Sequence, residues 1–164
     1  MTSLSDPATA AITLRPVSDD DRAFLVEVYA STRDEELSMV QWPEGQREAF
    51  VGMQFDAQDA EYHRGNPEGS FDVIEVGGRR AGRLYVDRRP GDVRIVDIAL
   101  LPEFRGAGVG GRLIATLMDE ASSAGCKLSA HVEVHNRAVD LYTRLGFVVA
   151  AEGQVYNRME WTRE

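Results

Sequence analysis

The sequence predicts a mixed α/β (α+β) domain built on about seven strands in a mostly antiparallel sheet. Two observations carry this. Three strand-like runs, Phe71 to Val76, Ala81 to Asp87 and Val93 to Leu100, follow one another through short turns, Gly77-Gly78 being a two-residue hairpin signal and Arg89-Pro90-Gly91-Asp92 the second turn. A helical crossover then separates Val93 to Leu100 from the strand Lys127 to Val134, so that last pair is expected to run parallel.

The remaining elements read in order. Ala11 to Pro16 alternates as a strand, and Ser18 with Asp21 three residues on resembles a capping box. Phe24, Leu25, Val28 and Tyr29 then recur at helical spacing through about Thr32. Arg33 to Trp42, with Glu35, Glu36, Met39 and Trp42, reads as a loop with something to cover. Pro43 suits the first turn of a second helix with a stripe of Phe50, Met53, Ala57 and Ala60, ended by Gly65, Asn66 and Pro67. Val109, Leu113, Ile114, Leu117, Met118 and Ala121 mark the crossover helix, stopped at Gly125. A short helix from Asn136 to Leu145 ends at Gly146, and strands Phe147 to Ala151 and Val155 to Thr162 turn around Gly153.

Composition narrows the class. The 164 residues are 43% hydrophobic and 27% charged, enough for one core without metal or disulfide staples. No linker divides the chain, so residues 11–164 read as a single domain behind a short flexible tail, residues 1–10. That tail lacks the basic and apolar regions of a signal peptide, and no apolar run approaches the ~20 residues of a membrane span, so a cytoplasmic location away from membranes is expected. Cys126 is the single cysteine, which excludes an internal disulfide and a thiolate metal cluster; no metal is expected. A net charge of -9 argues against nucleic acid as a partner.

Leu101-Pro102-Glu103-Phe104-Arg105-Gly106-Ala107-Gly108-Val109-Gly110-Gly111 carries the chemistry. Glycines between a strand and a helix N-terminus leave several N–H groups free for an anion. Gly106, Gly108 and Gly111 satisfy the dinucleotide fingerprint G-x-G-x-x-G, with Glu133 at a distance suited to a ribose. That match is a decoy: Pro102 to Arg105 separate strand from glycines, and the remaining fifty or so residues cannot build the required sheet.

Arg105, Gly108 and Gly110 also form R-x-x-G-x-G, and this segment closely resembles the pyrophosphate-binding motif of the GNAT N-acetyltransferase superfamily, whose order of elements nearly the whole chain shares. The resemblance implies a three-layer fold with helices on both sheet faces and a gap between the fourth and fifth strands that admits coenzyme A. It assigns the pyrophosphate to the backbone of Arg105, Gly106, Ala107, Gly108, Val109 and Gly110, with Gly111 beside them, and the pantetheine arm and thioester carbonyl to main chain freed by a bulge at Ile98, Ala99 and Leu100. The implied activity is transfer of an acetyl group from acetyl-CoA directly to an amine, the acceptor being a small molecule or a peptide. A non-catalytic acyl-CoA-binding regulatory module is the alternative. Relatives often pair as homodimers.

Asn136 to Phe147 resembles the family's second signature, an Asn, then Ala, Leu-Tyr and Gly-Phe. In the family the tyrosine, here Tyr142, protonates the leaving sulfur; otherwise it is a half-buried helix residue with its hydroxyl in water. Asn136 caps the helix or touches coenzyme A, and a spacing of six rather than seven to Tyr142 leaves open whether His135 takes that place. An attacking amine must lose a proton, and Asp97, which interrupts the apolar run Ile95 to Ala99, is the first candidate to accept it, against a solvated or structural role. His131 and Glu133 share a strand face as relay candidates. Glu35, Glu36 and Trp42 lie where family members build part of the acceptor pocket. Cys126 follows a helix C-terminus, where the dipole disfavours a thiolate, so no cysteine acyl-enzyme is expected.

Overall fold

The computed structural model describes residues 9–134, 136 and 138–163. Seven strands form one sheet: β1 (Ile12–Pro16), β2 (Ser70–Val76), β3 (Arg79–Arg89), β4 (Asp92–Leu100), β5 (Lys127–Glu133), β6 (Val148–Ala151) and β7 (Tyr156–Trp161), in the order β1-β2-β3-β4-β5-β7-β6. Every neighbouring pair is antiparallel except β4 and β5, which run parallel as the crossover requires.

A 3₁₀ turn (Asp19–Asp21) leads into α1 (Arg22–Thr32), followed by α2 (Asp34–Ser38), α3 (Gln46–Gly65), α4 (Val109–Ser123) and α5 (Ala138–Arg144). Adjacent residues of β3 mark the two faces. Arg88 points to α4, where its guanidinium forks onto Glu120 at 2.6 and 2.9 Å, while Arg89 points to the end of α3 and donates to the Gly65 carbonyl at 3.0 Å. Helices α1 and α3 pack on that second face through an edge-on contact of Tyr29 with Phe55. Burial of Val109, Leu113, Ile114, Leu117 and Ala121 fixes α4 on the other face.

Two sequence expectations need correction. The stretch expected as loop contains α2, whose first turn holds Asp34, Glu35 and Glu36 and is favoured there by the helix dipole. The buried stripe of α3 also differs: Met53 is 62% exposed and Ala57 and Ala60 face solvent, whereas Val51 and Phe55 are buried and Gln58 and Tyr62 turn toward the sheet. A polar requirement beneath the helix, met by Gln58, outweighs alanine periodicity. The described chain starts at Thr9, and Ala10 already belongs to the core.

The start of α1 is fixed by one buried carboxylate. Asp21, 2% exposed, accepts a forked pair from Arg15 at 2.7 and 2.8 Å and the Ser18 N–H at 2.9 Å, with Arg80 also near. Its carboxyl is held well below the ordinary 3.8, first by the Arg15 hydrogen bonds, with burial opposing. A depressed folded value means stabilisation that is complete above the ordinary value and fades as pH falls through it. Asp21→Asn should therefore cost about 2–4 kcal/mol in denaturant unfolding at pH 7, and the gap between variant and parent should shrink progressively below about pH 4.

Candidate active site

The parallel pair β4 and β5 is short. It registers only Asp92 to Ile95 against Lys127 to Ala130, after which β5 continues against β7 while β4 stays on β3. The divergence begins where β4 carries a bulge: Tyr85 lies opposite Asp97 and Val86 opposite Ile95, leaving Val96 unpaired. Beyond it, Ile98, Ala99 and Leu100 pair with β3 and, among the described residues, with no second strand, so their other edge faces the gap, where the Leu100 carbonyl already accepts from Arg105 Nε. Gly82 keeps β3 tight against the opposite, paired edge of β4, since a Cβ there would collide with the Ala99 carbonyl oxygen. A cleft of about 20 Å³ at the mouth of the gap is lined by Asp97, Ile98, His131, Asn136 and Tyr142, among others.

At the end of β4 the chain passes through Pro102–Phe104 into the glycine loop. Gly106 and Gly108 have φ of 76° and 83°, conformations that favour glycine, and Gly108 is the N-cap of α4. The first backbone bond of α4 is Arg112 N–H to the Gly108 carbonyl, so the N–H groups of Gly106, Ala107, Gly108, Val109, Gly110 and Gly111 have no backbone acceptor among the described residues. Val109, 1% exposed, anchors the turn in the core. A Cβ on Gly110 would approach Leu141 of α5 to 3.3 Å, while Gly111 is open. The arginine of the motif is occupied with structure: its Nε donates to the Leu100 carbonyl at 3.0 Å, and Nη2 reaches Ser31 at the end of α1. A row of unsatisfied N–H groups at the positive end of a fifteen-residue helix fits a diphosphate, with backbone rather than the Arg105 side chain as the donor set.

Tyr142 is 2% exposed and packs on Phe147 with ring centroids 4.9 Å apart. Burial, and then the negative charge of Asp97, push its phenol well above the ordinary 10.0, so it holds its proton throughout the physiological range. Asn136 caps α5, its Oδ1 accepting the Ala138 N–H at 2.8 Å, and it lines the same gap. His135 lies outside the described residues.

Asp97 faces α3, and its Oδ2 stands 2.5 Å from Nη2 of Arg83, a residue the sequence reading did not single out. Arg83 is 2% exposed, donates to Gln58 at 2.7 Å, and is boxed by the rings of Tyr85, Phe55 and Tyr62 at 5.2, 5.9 and 5.9 Å. Burial opposes its charge, but Asp97 prevails and the guanidinium remains protonated. The signal was present: an arginine at an inward position of the run Ala81 to Val86 needs a carboxylate across the sheet, and Asp97 interrupts the next strand. Glu133 is held by a forked ion pair from Arg33 at 2.6 and 2.8 Å. His131 lies across from Arg158, and burial, then Arg94 and Arg158, lower its pKa. Trp42 is folded back, its Nε1 donating to the Leu37 carbonyl and its ring 5.1 Å from Phe50, while Glu36 stands 3.9 Å from Arg33.

Comparison with solved structures returns this same arrangement of elements. The PaiA N-acetyltransferase from Thermoplasma acidophilum, crystallised with coenzyme A, superposes with a TM-score of 0.68 at 16% identity, covering 93% of this chain and 99% of its own. An acetyltransferase from Thermus thermophilus gives 0.65 at 18% identity, covering 92% and 96%. At such identities the likeness concerns the fold. No curated protein sequence matches the chain. From the 3₁₀ turn before α1 to the residue preceding β6, residues 18–147, the sequence matches the profile of the acetyltransferase (GNAT) family, and the chain belongs to that family.

Proposed function

We propose that the protein transfers the acetyl group of acetyl-CoA directly to a primary amine. The observation that carries this reading is the meeting of Asp97, Tyr142 and the unpaired edge of β4 at one gap, with free N–H groups at the mouth of α4 on the same side of the chain's crossover. The donor supplies an activated thioester. Backbone of Gly106 to Gly111 holds its diphosphate, and the free edge of Ile98 to Leu100 aligns the arm and donates to the oxygen on which negative charge develops. As the amine nitrogen bonds to the carbonyl carbon and the C–S bond breaks, the amine proton leaves by way of Asp97, directly or through a water, and Tyr142 gives its phenolic proton to the departing sulfur. Arg83 keeps Asp97 aimed from beneath. Residues 11–164 act in this reading as one acyltransferase domain.

The loop is tested by affinity. Alanine at Gly108 must hold φ of 83°, a conformation costing an L-residue about 1–2 kcal/mol, so Gly108→Ala should weaken coenzyme A binding in calorimetry by roughly tenfold or more. Unaltered affinity would remove the loop from the diphosphate site.

Tyr142 is tested by rate. Tyr142→Phe should lower kcat on a panel of amines by about 10²-fold, followed by thiol release, with little change in the donor's KM. A phenol raised above 10.0 also predicts no loss of rate from its ionisation as pH climbs to that value. Binding of acetyl-CoA with no release on any amine, and indifference to Tyr142→Phe, would identify the chain as an acyl-CoA-binding module instead.

For Asp97 the expectation is double. Asp97→Asn leaves Arg83 buried without its counter-ion, so stability should fall by about 2–4 kcal/mol and the profile of kcat/KM against pH should change shape. A profile superimposable on the parent's retires Asp97 from the proton path, whatever happens to stability.

A further inference from the structure

The face of the sheet that carries Asp97 continues past the gap into a charged surface not used by the chemistry above. Register fixes its members: Arg94 lies opposite Ser129, Ser129 opposite Glu160, and His131 opposite Arg158, so their side chains emerge on one side. Asp97 emerges there too, because Tyr85 and Asp87, two apart on β3, oppose Asp97 and Arg94 respectively.

Charge on this face does not balance. Asp87 is taken by Arg89 at 2.8 Å, and Glu160 is shared at 3.0 Å by Lys127 and Arg158. Asp92, whose Oδ1 accepts the Ser129 hydroxyl at 2.7 Å, stands at a loose 3.8 Å from Arg158 and 4.0 Å from Arg94. The Nε atoms of both Arg94 and Arg158 are buried without an acceptor. Such donors are costly when left unpaired, the more so on charged groups. Two further consequences agree: burial, then Arg89, lower the pKa of Arg94, against the opposing pull of Asp92, and His131 is disfavoured as a cation by burial, Arg94 and Arg158. In a chain of net charge -9 this is a local surplus of positive charge, open to solvent at His131 and partly so at both arginines.

We propose that Arg94, Arg158 and His131 bind the carboxylate of the acceptor, so that the substrate class is an amine carrying a carboxylate several methylenes away. This rests on the reading of the gap as the place of amine attack. His131 links the two regions, since it lines the gap with Asp97 and Tyr142. At about 3.3 Å of rise per residue, Arg94 stands roughly 7–10 Å along β4 from Asp97, a span that an extended ω-amino acid bridges and a short α-amino acid does not. The forked donors of two arginines suit the planar carboxylate. A plain alkylamine leaves them unsatisfied.

The experiment compares ε-aminocaproate with n-hexylamine. In the parent, kcat/KM should favour ε-aminocaproate by about tenfold or more, as expected when one charge-assisted contact is gained. Arg94→Gln and Arg158→Gln should each narrow that ratio through KM, while Arg94→Lys, which keeps the charge and loses the fork, should restore part of it. Binding is read independently of turnover by titrating ε-aminocaproate into the coenzyme A complex and following the arginine Nε–H and His131 ring signals by NMR. Shifts confined to Arg94, Arg158 and His131 support the site even if no acetyl transfer occurs, in which case the acetyltransferase reading fails by itself. Transfer with equal preference for the two amines, or titration that leaves those signals unmoved, overturns the carboxylate site and leaves the acetyltransferase reading standing.

Discussion

Everything at the candidate site depends on the early end of a parallel strand pair. A sheet normally satisfies both edges of an internal strand, yet β4 loses its β5 partner after Ile95, in the middle of the sheet and beside the bulge at Val96. Backbone without a strand partner needs another, from water, a side chain or a ligand. On the β3 side the close approach at Gly82 holds β4 in place. On the open side, an amide-bearing arm laid along the gap would complete the missing ladder.

The second constraint is electrostatic. An isolated guanidinium as buried as Arg83 would be prohibitive, and it is tolerated because Asp97 neutralises it, Gln58 accepts from it and three aromatic rings surround it. The pair is a poor source of net stability but a strong constraint on geometry: the carboxylate cannot turn away without orphaning the charge beneath. Such aim is what the proton path proposed for Asp97 would need. The same logic explains α3, whose inward face carries Gln58 and Tyr62 rather than the alanines its sequence pattern offered.

Much of the architecture was legible in the sequence because its causes are local. Strand alternation, Gly77-Gly78, the glycine loop and the crossover helix each act over a few residues, and they placed the seven strands and the parallel pair. Arg83 was not legible, because its meaning lies across the sheet in Asp97, and register is not written in either strand alone. The face of α3 was misread because alanine periodicity suggested burial where the actual demand was for a polar acceptor. The helix in Arg33 to Trp42 escaped because five residues give too short a period to detect.

Two kinds of positive potential now divide the molecule. At the mouth of α4 it comes from peptide dipoles, which carry no net charge and cannot titrate, and so would suit the diphosphate of the proposed donor. On the opposite face it comes from Arg94 and Arg158, whose charges are partly desolvated and only partly answered by Asp92 and Glu160. A protein with an excess of acidic residues could have cancelled this surplus with a single substitution at Ser129, which lies in register with Arg94 and already contacts Asp92. Serine there keeps Asp92 oriented while leaving the arginines short of a counter-charge. That is the pattern expected where an anion is to be supplied from outside rather than by the chain.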